Sequence, residues 1–305
     1  MNISFRQLRV FQAAASLCNF SKAGERIGLT QPAVSRAIGD LEQELGVRLF
    51  DRTTREVSPT EAGRRLAGHL ERVLDDLEGA LLDVRGMAQP RRGRVRVASS
   101  PTLSASLMPA CIAACSQLPG SIELVLLDRI QQDVLDSVRA GEVDFGVVVD
   151  PADADDLHCE TILQEPFCLV CPASHRLAAE AGVAWQALAG ENLVLLDHAS
   201  GSRRLIDNAL LLHGTDCKVV QQLGHPTTIF RMVEAGIGIT VLPALALPPT
   251  VPQGLVARPL LPHVNRAIML AHRRSRSLSP VALEVWQLVR QMATQLPEVP
   301  GIARG

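Results

Sequence analysis

The stretch from Ser21 to Gly46 constrains this chain most, because two helical segments there are separated by only Gly28-Leu29-Thr30. Glycine accepts the backbone of a sharp turn, and Thr30 offers an oxygen to cap a following helix. Pro32 falls in the first turn of that helix, where its missing N–H costs nothing. Val34, Ile38, Leu41 and Leu45 then recur at i, i+4, i+7 and i+11 and predict one buried face. Pro32, Ser35, Arg36 and Gly39 fall on the opposite side, and Gly46 ends the helix. The preceding segment, Ser21 to Ile27, reads as a helix capped by Ser21 that buries Ala23 and Ile27. Upstream, Phe5, Leu8, Phe11 and Ala15 share a face of a first helix. Two helices joined by a three-residue turn, the second with a small polar outer face, form a helix-turn-helix.

The next segment, Leu49 to Val57, reads as a short hairpin or wing, and Thr60 caps a long helix. Leu66, Leu70, Val73, Leu77, Leu81 and Val84 make a near-heptad stripe on that helix, whose other faces are charged. A stripe so narrow predicts a two-helix coiled coil; the alternative is one amphipathic helix lying on its own domain. Gln89-Pro90-Arg91-Arg92-Gly93 is a breaker-rich linker. Beyond it, apolar runs at Val95–Ala98, Ile122–Leu127, Phe145–Val149, Phe167–Val170, Leu193–Leu196 and Ile268–Ala271 alternate with helical stretches. The helical stretches include Leu103–Ser116, Asp133–Ala140, Ser202–His213 and Thr227–Ala235. That alternation predicts a mostly parallel α/β sheet, and its length suits two lobes better than one.

Charge adds a weaker signal. Residues 1–60 carry eight Lys and Arg against six Asp and Glu, whereas residues 97–305 carry fourteen against twenty. A mildly basic head on an acidic body suits a nucleic-acid contact at one end. Tyrosine is absent and aromatics are 3%, which argues against stacking platforms for single strands. No long apolar run lacks charge, so a membrane span is not expected. Arg6 and Arg9 interrupt the N-terminus where a secretory signal needs an apolar core, so the cytoplasm is the expected location. In that reducing compartment the seven cysteines read as buried small hydrophobes. Cys168 and Cys171 have CxxC spacing but sit on a strand, which points their thiols to opposite faces. Neither a zinc ligand pattern nor a nucleophile elbow is present, so neither metal, cofactor nor catalysis is expected.

Several strings in the head resemble the LysR family of transcriptional regulators. They are Phe20-Ser21-Lys22-Ala23, Thr30 to Ile38, Leu41-Glu42, Leu45-Gly46, Leu49-Phe50-Asp51-Arg52 and Thr60-Glu61-Ala62-Gly63, all at the family's spacing. Two positions depart from it. Gly24 stands where a second alanine is usual, which should loosen the second helix slightly. Ser58-Pro59 replaces an apolar residue before Thr60. The resemblance implies a winged helix-turn-helix over 1–59, a dimerising linker helix over 60–89 and a two-lobed effector-binding domain over 90–305. That domain is like periplasmic binding proteins. Lobe I spans about 91–165 and 269–305, and lobe II about 166–268, with crossing strands near Phe167–Val170 and Ile268–Ala271. Val233 to Pro243 looks like the family's late helix-to-strand motif.

On the recognition face, Gln31 and Arg36 suit base edges, Pro32 and Ala33 a thymine methyl, and Ser35 a phosphate or base. Thr30 and the wing residues Arg52, Thr53, Thr54 and Arg55 complete the candidate DNA-binding set; the wing arginines suit a minor groove or phosphates. The candidate effector site comes from fold physics, since ligands in such lobes sit at strand carboxyl ends beside helix N-termini. It comprises Ser99, Ser100, Pro101 and Thr102; His198, Ser200, Ser202 and Arg203; and His225 and Thr227. Three hydroxyl-rich loops point to a small carboxylate. Ser200 stands where the family's peroxide-sensing branch has its reactive cysteine, which argues against redox sensing. The expected partners are double-stranded DNA, a small-molecule effector, further copies of the chain as a dimer of dimers, and RNA polymerase. A transport-binding protein and an enzyme on the same two-lobed fold are the competing readings, and the N-terminal head speaks against both.

Overall fold

The computed structural model describes residues 3–52, 57–84, 93–118, 122–248, 251–296 and 303–304. The chain forms two compact units, Met1–Ala88 and Gln89–Gly305.

The first unit contains α1 (Phe5–Leu17), α2 (Phe20–Ile27), α3 (Gln31–Leu45), β1 (Phe50–Arg52), β2 (Val57–Pro59) and α4 (Glu61–Val84). Phe11, Phe20 and Phe50 meet in its core, with Phe50 centred 5.5 Å from Phe11 and 5.4 Å from Phe20. Val34, Ile38 and Leu41 of α3 are buried in the same core. Helix α2 starts one residue earlier than expected, because Phe20 belongs to the core and Asn19 is therefore the cap. Asn19 Oδ1 accepts the N–H groups of Ser21 at 2.9 Å and Lys22 at 3.0 Å, so Ser21 caps nothing.

Gly24 also differs from expectation. A Cβ there would lie 2.5 Å from the carbonyl oxygen of Leu29, which folds back over α2. The glycine is what permits that close turn, not a loose spot in the helix. Gly63 has the same role at the start of α4, where a Cβ would come within 2.1 Å of the Leu49 carbonyl oxygen. Thr60 caps α4 by accepting from Gly63 N at 3.1 Å, and its hydroxyl donates to Arg48 O. Glu42 on α3 secures the entry to the hairpin, its carboxylate accepting from the N–H groups of Leu49 and Phe50.

The stripe expected along α4 divides in two. Leu70 turns into the core of the unit with Leu66 packed beside it, joined there by Leu74 from outside the stripe. Val73 and Leu77 are 56% and 40% exposed. The side chains of Leu81 and Val84 lie outside the described residues.

In the second unit the elements run β3 (Gly93–Ser99), α5 (Pro101–Ser106), α6 (Met108–Cys115), β4 (Ile122–Asp128), α7 (Gln131–Ala140) and β5 (Phe145–Val149). A sixteen-residue strand, β6 (Leu157–Pro172), then leads to β7 (Val183–Ala184), β8 (Asn192–Leu196), α8 (Gly201–Leu212), β9 (Lys218–Leu223) and α9 (Pro226–Glu234). Last come β10 (Thr240–Pro243), β11 (Leu255–Leu261), β12 (Asn265–Arg273), α10 (Pro280–Thr294) and β13 (Ala303–Arg304). One lobe has strand order β4-β3-β5-β12-β6, with β3 parallel to β4 and β5, and β12 antiparallel to β5 and β6. Its core is built around Val97, Phe145, Leu270 and Trp286. In the other lobe β10 and β11 pair antiparallel with the far end of β6, and β8 is parallel to β9. That core surrounds Trp185, Leu193, Leu195 and Val241.

The sheets are thus mixed rather than mostly parallel. A chain that leaves one lobe along β6 and returns along β11 and β12 must pair with itself antiparallel. The crossing lies where Asn265 faces Pro166 and Phe167 N donates to Val264 O at 3.1 Å. Phe167–Val170 begins at the crossing and runs into the second lobe's sheet, whereas Ile268–Ala271 lies inside the first lobe's sheet, a few residues beyond the crossing. Polar Gln164, Glu165, Asn265 and Arg266 flank the true crossing, and a search for apolar runs passes over them. Among the described residues no helix is long and apolar enough to cross a membrane.

Candidate functional site

Thr30 is the N-cap residue of α3 but makes no side-chain cap bond, and Pro32 sits in the first turn. Thr30, Gln31, Pro32 and Arg36 are exposed, while Ala33 and Ser35 are half-buried beside them. They form one outward face because Val34, Ile38 and Leu41 fix the other side of the helix in the core. No hydrogen bond within the described residues occupies the Arg36 guanidinium. Arg52 ends β1, and the candidate wing residues Thr53, Thr54 and Arg55 lie outside the described residues.

In the second unit, β3, β4 and β5 end side by side, and the segments that follow them hold Ser99–Thr102, Gln131 and Asp150. Ser99 is buried; its carbonyl accepts from Arg129 N at 3.1 Å and from the Ser104 hydroxyl at 3.2 Å. Ser100 is the N-cap residue of α5 without a side-chain cap bond, so its hydroxyl remains uncommitted. Pro101 and Thr102 are half-buried in the first turn. The other lobe presents α8 to this edge: Gly201 packs against Gln131, and Leu205 contacts the cores of both lobes.

The candidate residues on the second lobe differ in where their polar groups go. Ser200 caps α8, accepting from Ser202 N at 3.3 Å. His198 is exposed, with Nδ1 4.0 Å from Asp207. His225 is the N-cap residue of α9, and it and Thr227 are exposed. Arg203 corrects the expectation of an available cation. Its side chain is 6% exposed and its Nε donates to Asp207 Oδ1 at 2.8 Å. Its Nη1 donates to the Leu196 carbonyl and to Gln222, each at 2.9 Å. The carboxylate four residues along the same helix face turns this guanidinium inward, where it ties α8 to β8 and β9.

Ser202 is committed as well. It is buried, and its hydroxyl accepts from Arg266 Nη1 at 2.6 Å. Arg266 also donates from Nε and Nη2 to Glu165 Oε1, at 2.8 and 2.6 Å. The second oxygen of Glu165 accepts from Leu245 N. Glu165 is fully buried and Arg266 is 2% exposed, and each stands on a strand at the crossing. This network joins β6, β12, α8 and the turn after β10. A buried pair survives only when its remaining hydrogen-bonding capacity is met, as here. Sequence reasoning missed it because its two charges are 101 positions apart.

Cys111, Cys115, Cys168 and Cys171 are buried as expected, but Cys18 is exposed and Cys159 and Cys217 are half-buried, so burial does not extend to every cysteine. Cys171 lies in the core with Phe167 and Leu169, while Cys168 and Val170 point to the other side of β6. Burial pushes the Cys168 thiol up to about 11. Burial, with Cys115 beside it, pushes Cys111 up to about 12, and burial with nearby Glu284 raises Cys115 to about 11. Such thiols stay protonated at neutral pH and are poor nucleophiles.

Comparison with known proteins agrees with this geometry. Residues 5–64 match the bacterial regulatory helix-turn-helix protein, lysR family, and residues 88–294 match the LysR substrate binding domain. The chain is 52% identical over 298 residues to the HTH-type transcriptional regulator YfeR of Shigella flexneri, covering 97% of this chain and 96% of that protein. A Corynebacterium glutamicum OxyR mutant superposes with a TM-score of 0.68 at 25% identity, covering 97% and 96% of the two chains. Full-length CbnR in complex with its target DNA has the same fold, with a TM-score of 0.57 at 21% identity over 95% of this chain and 99% of that one.

Proposed function

The chain belongs to the LysR family of DNA-binding transcriptional regulators with an effector-binding domain, and from that premise we propose how its parts divide the work. Helix α3 reads operator half-sites through Gln31, Pro32, Ala33, Ser35 and Arg36, with Thr30 and the wing from Arg52 to Arg55 holding the backbone. The outward face of α3 carries this reading, since its polar and small residues match what a major groove offers. Two chains pair along α4, where exposed Val73 and Leu77 supply an apolar seam, and two such dimers form a tetramer that contacts RNA polymerase. The regulator acts in the cytoplasm, where its DNA is.

The effector is a small carboxylate seated between the lobes, near Ser99–Thr102, Ser200 and the first turns of α8 and α9. The uncommitted Ser100 hydroxyl, with the N–H groups of Gly201 and Thr227 at the starts of those turns, supports this class. Arg203 and Ser202 are excluded from contact with it, because their polar groups are already bonded within the protein. A thermal-shift screen of small mono- and dicarboxylates on the full chain tests the class. Stabilisation by a carboxylate, lost in Ser100→Ala, is the expected outcome; stabilisation only by neutral or cationic compounds contradicts it.

A further inference from the structure

Besides Ser202 and Leu205, helix α8 meets the opposite lobe at two points. Gln131, the first residue of α7, has both ends of its amide fixed: Nε2 donates to Val149 O at 2.7 Å, and Oε1 accepts from Val149 N at 3.0 Å. Gly201, the first residue of α8, lies on that amide. A Cβ there would stand 2.1 Å from Gln131 Oε1 and 2.5 Å from Cδ. Gln131 cannot give way without stripping both hydrogen bonds from the backbone of Val149, whose residue is buried. One turn on, Arg204 Nη2 donates to the carbonyl of Asp150 at 3.0 Å. Asp150 has φ +34, a conformation that a non-glycine residue rarely holds. Ala267 keeps it there: Asp150 N donates to Ala267 O, and Ala267 N donates to Asp150 Oδ2.

We propose that Gly201 on Gln131, together with Arg204 on the Asp150 carbonyl, forms a latch that sets how far the lobes close and through which occupancy of the cleft is transmitted. This rests on reading the cleft between the lobes as the effector site. Ser200, which caps α8, precedes Gly201 directly, so a ligand that draws on the first turn of α8 shifts the latch in the same movement. The two contacts differ in kind. The glycine contact is steric and admits no side chain, whereas the Arg204 bond lies at an exposed residue and can break and reform.

Hydrogen–deuterium exchange on the ligand-free full chain tests the latch. Gly201→Val is expected to raise exchange about tenfold at Val148–Asp150 and Ser202–Leu205 while leaving β3 and α10 protected. In a Gln131→Ala background the same valine is expected to add nothing at Ser202–Leu205, because the obstructing amide is gone. Arg204→Ala is expected to raise exchange at the same peptides by a smaller factor. If the valine acts equally in both backgrounds, it disturbs α8 itself and the latch is refuted. If Gly201→Val instead loosens β3 and α10 as well, Arg204→Ala decides alone, and unchanged exchange at Ser202–Leu205 refutes the proposal. Since no ligand is added, the latch can fail while a carboxylate still binds, and a failed ligand screen leaves the exchange result standing.

Discussion

The first turns of α3 and α8 hold similar residues. In α3, Gln31, Pro32 and Ala33 follow a threonine cap, and Arg36 lies a turn on. In α8, Gly201, Ser202, Arg203 and Arg204 follow a serine cap. The α3 residues face outward, and the Arg36 guanidinium meets no partner within the described residues. Those of α8 are spent inside the protein: Ser202 on Arg266, Arg203 on Asp207, Arg204 on the Asp150 carbonyl. A polar helix start therefore signals a binding surface only where the chain does not itself supply the partner. At α3 the proposed partner is DNA, and at α8 much of it is the rest of the domain.

The sharpest way to break this contrast is to remove a partner at α8. Arg266→Ala leaves the carboxylate of Glu165 buried and unpaired, and a loss of about 3–5 kcal/mol is expected in urea unfolding of the second unit. Replacing both charges by Leu and Met should recover much of that loss. If Arg266→Ala unfolds like the parent, the pair is not what holds the crossing. A smaller effect is expected in the head. Gly24→Ala gains about 1 kcal/mol by helix propensity alone, yet its Cβ would meet the Leu29 carbonyl at 2.5 Å. A net loss of about 1–3 kcal/mol is expected from that overpacking, and a net gain in thermal stability would overturn the account of the turn.

The thiols give a weaker, pH-resolved test. Cys111, Cys115 and Cys168 titrate near 11 to 12 in the folded chain, above the ordinary 9.0. Their contribution to stability is complete below pH 9 and is lost as pH rises from there, since the unfolded thiols ionise first. The chain has no tyrosine and only Lys22 and Lys218 as lysines, so apart from the remaining cysteines little else titrates in that window. The denaturant midpoint should fall between pH 9 and 11, with a shallower fall in Cys111→Ala; a flat profile contradicts the burial of these groups. Smallest of all, Ser100→Ala should change stability by less than about 0.5 kcal/mol, because its hydroxyl holds nothing in place. A larger loss means that this serine is structural.

Much of the head was legible in the sequence, since its determinants are local. Val34, Ile38 and Leu41 give the period of α3, and Gly46 and Thr60 mark boundaries within a few residues of their partners. The errors there came from neighbours across the fold. Phe20 shifted the start of α2, and Leu29 set the need for Gly24. In the second unit most strands and helices were legible, but β6 begins well before the apolar run at Phe167, and β7, β9, β11, α10 and β13 were not placed. The crossing was displaced towards the apolar runs on either side. The roles of Ser202 and Glu165 depend on Arg266, which is remote in sequence and adjacent only once β6 and β12 pair. Arg203 was readable in principle, because Asp207 stands at i+4.

The central claim is that the outward face of α3 reads base edges. The most direct measurement compares Arg36→Ala with the parent chain by fluorescence anisotropy, on an operator selected from genomic fragments and on an unrelated duplex at the same salt. The account predicts that the operator loses about 1–3 kcal/mol of binding free energy, that the unrelated duplex changes far less, and that the melting temperature is unaltered. Equal losses on both duplexes would make Arg36 a general phosphate contact, and an unchanged operator affinity would remove it from recognition altogether.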